Sequence, residues 1–320
     1  IALLAKEGAS AMANTKPLKL INIARRYKHI QPVPRMPNFA AWIEGVDLTK
    51  PLPAPVQAEL RQALFDFEVI FFRPQTITPA QHVALAKVFG PLSGGSYFDR
   101  MPDAPDMEMI VSDRERPPQI DNWHTDISWK PRPPLGTAIQ ITVTPPAGGN
   151  TCWTSTSKAY EWLSPGLQKY LEGLQAVHTW EQSGFREALG RRGEEALVGA
   201  IRAFQPVLHP VVKKNPDSGR KCIFVNADFT RNIVGVDRHE ARGMLQFLLE
   251  WLKKPEFMVH HQWTAGEIAL WDNRSTQHYA VADYWPHHRV NQRVTFDEPG
   301  ALAASAVNVN QKVLKGANLR

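Results

Sequence analysis

A histidine and a carboxylate two residues apart, His124-Thr125-Asp126, make the constellation in this chain most suited to chemistry. Residues two apart in an extended segment project to the same side, so this imidazole and carboxylate can grip one ion. A second histidine from a distant strand would complete a set of two imidazoles and one carboxylate, leaving three coordination positions of a ferrous ion open. A structural zinc site would be closed by four protein ligands. His278, in the run from Trp271 to Asp283, is a second feature, and Arg289 with Arg293 is a third. Four residues apart on a strand, both arginines face one side, and two inward arginines are costly unless anions meet them. Each feature has a plainer reading: His124 tied to Asp126 within a loop, and surface ion pairs for the arginines. His260-His261, His287-His288, His239-Glu240 and Ser93 to Ser96 carry no such geometry, and Asp272, Asn273 and Asp283 read as backbone anchors near His278.

The elements that must position these groups alternate between strand and helix. Phe39 to Val46 and Val69 to Phe72 read as strands. Val56 to Phe67, with Leu60, Leu64 and Phe67 on one face, reads as an amphipathic helix. Thr78-Pro79-Ala80-Gln81 is a helix start with Gly90 as its stop, and Asp237-Arg238-His239-Glu240 opens the best helix of the chain. Helices are also expected from Ser157 and from Ser164-Pro165. Ala138 to Val143 alternates as a strand. Val207 to Val212 and Lys221 to Val225 read as a hairpin about Asn215 to Gly219. Phe257 to Trp263 and Glu267 to Trp271 read as strands joined by Thr264 to Gly266, and Arg289 to Phe296 as the last strand.

The 26 prolines and 20 glycines disfavour a helical bundle or solenoid and favour short strands with elaborate loops. A formal charge of +6 is scattered without a block of like charges, so nucleic acid is not the expected partner and a small anion is. Two cysteines, Cys152 and Cys222, in no metal or redox spacing suggest a reduced, cytoplasmic protein. No stretch reads as a signal or membrane segment; residues 1–16 are set aside as an extension, 17–300 as one domain and 301–320 as a tail.

Trp123-His124-Thr125-Asp126, Gly148-Gly149-Asn150-Thr151, and Trp271-Asp272-Asn273-Arg274 running on to Gln277-His278-Tyr279-Ala280, with Arg289 and Arg293 behind, resemble the taurine dioxygenase family of iron(II)- and 2-oxoglutarate-dependent oxygenases. Ile43 to Leu48, Val69 to Arg73, Phe224 to Asn226 and Lys254 to Phe257 stand in the family's order, so the resemblance spans roughly 38–298. It implies a mixed, mainly β fold, a double-stranded β-helix (jelly-roll, cupin-like) core with flanking and inserted helices. It implies Fe(2+) held by His124, Asp126 and His278, 2-oxoglutarate held by Thr151 and Arg289 with O2 as the other co-substrate, and Arg293 facing the anionic end of a small organic substrate. It also implies a homodimer or homotetramer.

Where taurine-specific members carry a His, a Tyr and an Asn for the amine and sulfonate, this chain has Gly95, Phe98 and Ile120. Losing three hydrogen-bonding groups favours a more apolar substrate body, with Ile127, Trp129 and Phe229 as expected further wall. The expected reaction hydroxylates the carbon beside the anionic group of an alkyl or aryl sulfonate or sulfate ester, which collapses to an aldehyde and sulfite or sulfate. An aryloxyalkanoate or other carboxylate is the alternative substrate, and a non-catalytic metal- or anion-binding barrel the alternative of another class.

Overall fold

The computed structural model describes residues 20–93, 98–118, 122–191 and 193–299. The expected extension and tail, and the substrate positions Gly95 and Ile120, lie outside the described residues.

The strands in chain order are β1 (Gln31–Met36), β2 (Phe39–Glu44), β3 (Val69–Phe72), β4 (Asp99–Met101), β5 (Ala104–Ser112), β6 (Gly136–Val143), β7 (Thr151–Ser155) and β8 (Gln175–His178). There follow β9 (Val207–Pro210), β10 (Val212–Lys214), β11 (Lys221–Ile223), β12 (Thr230–Val234), β13 (Met258–His261), β14 (Ile268–Asp272), β15 (Thr276–Ala280) and β16 (Arg289–Phe296). Eight of them form the main sheet in the order β1-β2-β3-β14-β6-β16-β5-β4, antiparallel throughout except for β2 against β3. β13, β7 and β15 form a second sheet.

The main sheet is covered on both faces, which is why β3 and β14 are continuous buried apolar runs rather than alternating ones. Ile70, Phe72, Ile268 and Leu270 pack against Leu60, Leu64 and Phe67 of the helix Ala54–Phe67 and Leu85 of the helix Pro79–Lys87. From the opposite face Phe71, Ala269 and Trp271 meet Trp153 of β7, Val259 of β13 and Trp263. The two sheets therefore face each other in the expected jelly-roll manner.

Several expected elements stand as read. Thr78 and Gln81 close a reciprocal capping box, as do Asp237 and Glu240 at the head of the helix Arg238–Trp251. Three expectations change. The helix from Thr78 ends at Lys87; Gly90 is small because its missing side chain would strike the Asp297 carbonyl. The apolar run 207–212 is split at Pro210–Val211, β9 pairing with β8 while only β10 pairs with β11 about the 215–219 turn. Lastly, β13 and β14 are not partners: the chain turns a corner at Gly266, whose φ is +90°, and passes from the second sheet to the main one. A helical insertion, Gly184–Arg191 and Glu194–Ala203, was not expected from the sequence. Among the described residues no helix is long and apolar enough to cross a membrane.

Candidate metal and co-substrate site

His124 and His278 are paired through their backbones before their side chains meet anything. His124 N donates to His278 O at 3.1 Å and His278 N to His124 O at 2.9 Å, a single antiparallel rung beyond the edge of β15. The Thr125 hydroxyl extends that contact by donating to the Thr276 carbonyl at 3.0 Å. The chain then turns sharply through Asp126 with Ile127 in the left-handed region, φ 55°. A β-branched residue there costs about 1–3 kcal/mol and persists only when its surroundings dictate it. Here they do. Ser128 Oγ accepts from Asn226 Nδ2 at 2.9 Å and lies 3.1 Å from His178 Nδ1, while His209 Nε2 donates to the carbonyls of Ser128 and Lys130 at 2.8 and 3.0 Å. Burial pushes His209 down to about 3 and His178 well below the usual imidazole range, so both stay neutral and the turn keeps its ties in mild acid.

At this turn His124, Asp126 and His278 bring one ligand atom each within 4.8 Å of one another, all buried. Asp126 Oδ1 lies 3.7 Å from His124 Nε2 and 3.9 Å from His278 Nε2, too long for hydrogen bonds and open enough for a cation between them. Each donor is prepared for that use. His124 Nδ1 donates to the Asn122 carbonyl at 2.8 Å, which leaves Nε2 as the lone-pair nitrogen. Asp126 Oδ2 accepts from Thr137 Oγ1 at 2.8 Å and faces Arg293 Nη2 at 3.1 Å, so Oδ1 is the oxygen left over. Burial would raise the Asp126 carboxyl, but Arg293 and the two imidazoles hold it well below the usual range. His278 is pushed well below the imidazole range by burial and then by His124. His124, despite burial, is drawn upward by Asp126. Two imidazoles and one carboxylate, with a cavity on the remaining side, fit a ferrous ion with open positions better than a closed zinc site.

That cavity measures about 380 Å³ and lies between the sheets. His124, His278, Thr151, Arg289, Arg293 and Phe98 all line it, with Trp153, Trp263, Trp271, Met109, Val111 and Tyr284. Thr151, on β7, accepts from the Trp263 indole N–H at 2.9 Å, which leaves its hydroxyl hydrogen free to point at a ligand. Arg289 is 6% exposed, its Nε has no hydrogen-bond partner, and burial lowers its pKa. No carboxylate among the described residues pairs with it; its neighbours are Tyr284, 5.6 Å from the guanidinium, and Gly149. Arg293 is as deeply buried but lies between Asp126 and Glu108, with the Phe98 ring 5.4 Å from its guanidinium.

Ile127, Trp129 and Phe229 are not in the cavity wall. They pack with Trp180, Leu189 and Ala200 under the helical insertion, because the left-handed turn at Ile127 directs the chain away from the cavity. Phe229 only backs the His124 ring, edge-on at 6.2 Å. Sequence reasoning missed Glu108, Trp263, Tyr284 and Arg191, which also lines the cavity. The visible signal for Glu108 was a lone charge in the apolar run Met107 to Val111.

A family profile described as taurine catabolism dioxygenase TauD, TfdA family, matches residues 29–295. The chain is 31% identical over 264 residues to an alkylsulfatase of Acinetobacter baylyi, covering 81% of this chain and 82% of that protein. It is 31% identical over 263 residues to an alpha-ketoglutarate-dependent 2,4-dichlorophenoxyacetate dioxygenase of Cupriavidus pinatubonensis, covering 77% and 90%. Its fold superposes on the crystal structure of a taurine dioxygenase from Burkholderia xenovorans with a TM-score of 0.71 at 32% identity, covering 84% and 91% of the two chains. With the paired histidines, the aspartate between them and the two buried arginines, this makes the chain a member of the TauD/TfdA family of Fe(II)- and 2-oxoglutarate-dependent dioxygenases.

Proposed function

We propose that this dioxygenase oxidises the carbon next to the anionic group of an organic sulfonate or sulfate ester more apolar than taurine, releasing an aldehyde and sulfite or sulfate with succinate and carbon dioxide. The observation that carries the reading is two buried arginines with different neighbours in the cavity that the His124, Asp126 and His278 donors open into.

In this reading His124 Nε2, Asp126 Oδ1 and His278 Nε2 hold the iron. When bound, iron couples decarboxylation of the keto acid by dioxygen to oxidation of a substrate C–H bond. Thr137 and Arg293 keep Asp126 a one-oxygen ligand by occupying Oδ2. Arg289, a buried cation waiting for an anion, pairs with the distal carboxylate of 2-oxoglutarate, and the Thr151 hydroxyl donates to the same group. Trp153, Trp263 and Trp271 exclude water from that end. Arg293 holds the substrate anion while Phe98, beside its guanidinium, packs on the apolar body. Residues 17–300 act as one domain, in a homodimer or homotetramer; the two buried free thiols suit the cytoplasm.

A panel of alkyl and aryl sulfonates, sulfate esters and taurine tests the substrate class, with succinate and sulfite or sulfate read separately. Efficient sulfite release from taurine refutes the apolar-pocket argument. Aryloxyalkanoates belong in the panel because Phe98 offers a ring beside Arg293, and because a relative of 31% identity is named for such a substrate.

A further inference from the structure

Arg293 does not wait in the cavity as a free cation. It stands on β16 directly across from Glu108 on β5. Glu108 is 1% exposed, with Oε2 3.7 Å from Arg293 Nε, while Arg293 Nη2 lies 3.1 Å from Asp126. Asp126 gives up its charge to the metal; Glu108 has no such use. Arg100 of β4 stands across from Glu108 on its other side, and Lys130, which burial lowers and which Asp297 and Glu108 draw upward, also feels it. An organic anion arriving at Arg293 therefore meets a guanidinium already shared with a buried carboxylate that points no donor at it.

We infer that Glu108 is a specificity-determining residue that weakens the hold of Arg293 on anions in proportion to their charge, so that a singly charged substrate is retained and a doubly charged product is expelled. The inference rests on the assignment of Arg293 to the substrate anion. A sulfate ester enters with one negative charge. After oxidation of the adjacent carbon, the C–O bond to sulfate breaks, the aldehyde leaves, and the sulfate loses its remaining proton to water and carries two charges. An unopposed buried arginine holds such a dianion more tightly than the substrate, and the enzyme would stall on its product. A fixed charge behind the guanidinium offsets that preference, because its repulsion doubles with the ligand's charge just as the attraction of Arg293 does. Through a partly polar interior one charge a few ångströms away amounts to about tenfold in the affinity of a monoanion, and hence about a hundredfold for a dianion.

The test is equilibrium binding of methyl sulfate and of inorganic sulfate to the Mn(II)-loaded full chain with N-oxalylglycine, which cannot turn over. In the wild-type protein sulfate is expected to bind no more tightly than methyl sulfate despite its second charge; sulfate binding tenfold tighter overturns the inference without any variant. Glu108→Gln, which keeps the shape and removes the charge, is expected to tighten methyl sulfate about tenfold and sulfate about a hundredfold. Equal tightening of both, or none, overturns it. Glu108→Asp, which retains the charge, keeps the wild-type order of the two anions; loss of that order would mean that shape rather than charge is at work. Arg293→Met separates the two layers. If it binds both anions as the wild type does, the assignment of Arg293 to the substrate fails. If both anions are lost there but Glu108→Gln changes nothing, only the role of Glu108 fails.

Discussion

Arg289 is a buried charge without a carboxylate partner among the described residues, and replacing it separates function from stability in a measurable way. Arg289→Met retains most of the side-chain volume and removes the guanidinium. Removing one partner of a buried, hydrogen-bonded ion pair costs about 2–5 kcal/mol of binding, so the KM for 2-oxoglutarate is expected to rise by roughly a hundredfold, about 2.7 kcal/mol. The KM of the primary substrate, proposed to be held elsewhere at Arg293, should move by less than about threefold. The apo protein is expected to gain stability rather than lose it, because an uncompensated buried cation has been replaced by an apolar chain of similar size. Two assays suffice: initial rates of succinate formation with each substrate varied in turn, and thermal melts with and without 2-oxoglutarate. Wild-type protein should melt higher when 2-oxoglutarate is added, and the variant should not. Equal KM losses for both substrates, or an apo variant less stable than wild type, would refute the reasoning.

Asp126→Ala should abolish succinate production and weaken Mn(II) binding at least a hundredfold, read by titration; unchanged turnover at saturating iron sinks the ligand assignment. Gly149→Ala should raise the KM for 2-oxoglutarate about tenfold, since Gly149 has a φ of +67° and a new Cβ would lie 3.2 Å from Arg289 Cδ and from Tyr284 Cδ1. An unaltered KM would show that Arg289 need not be held there. Burial lowers His82 to about 4 and His209 to about 3, so the unfolded chain binds more protons than the native one from about pH 6.5 downward through those values. Stability is therefore lost as pH falls through that window, by about 2 kcal/mol per histidine at pH 5 relative to neutrality. Urea unfolding at pH 7.5 and pH 5 measures it, and His209→Gln should reduce the difference.

The pairing of His124 with Asp126 was legible because the two residues stand at strand spacing and lie in the taurine dioxygenase-like words around them, and the capped helices because their boxes are local. What escaped reading depends on partners distant in sequence. Nothing local announces that Ile127 sits in the left-handed region; His178, His209 and Asn226 impose it from three other segments through their bonds to Ser128. Ile127, Trp129 and Phe229 looked like cavity wall because they are apolar and the first two follow closely on Asp126, whereas the imposed turn carries Ile127 and Trp129 into a separate cluster with Phe229. The continuous run Val207 to Val212 hid a change of sheet, although Pro210 within it was a warning.

The rung that joins His124 to His278 has a consequence for how such an enzyme can change. Because the histidines are aligned by main-chain hydrogen bonds, the spacing of the two imidazoles does not depend on the loops that shape the cavity mouth. Phe98, next to β4, and Arg191, in the helical insertion, line the same cavity from elements that carry neither imidazole. In the proposed reading the part of the substrate filter carried by Phe98 and Arg191 is thus separable from the oxidising centre under selection, whereas Arg293, which also touches Asp126, is not.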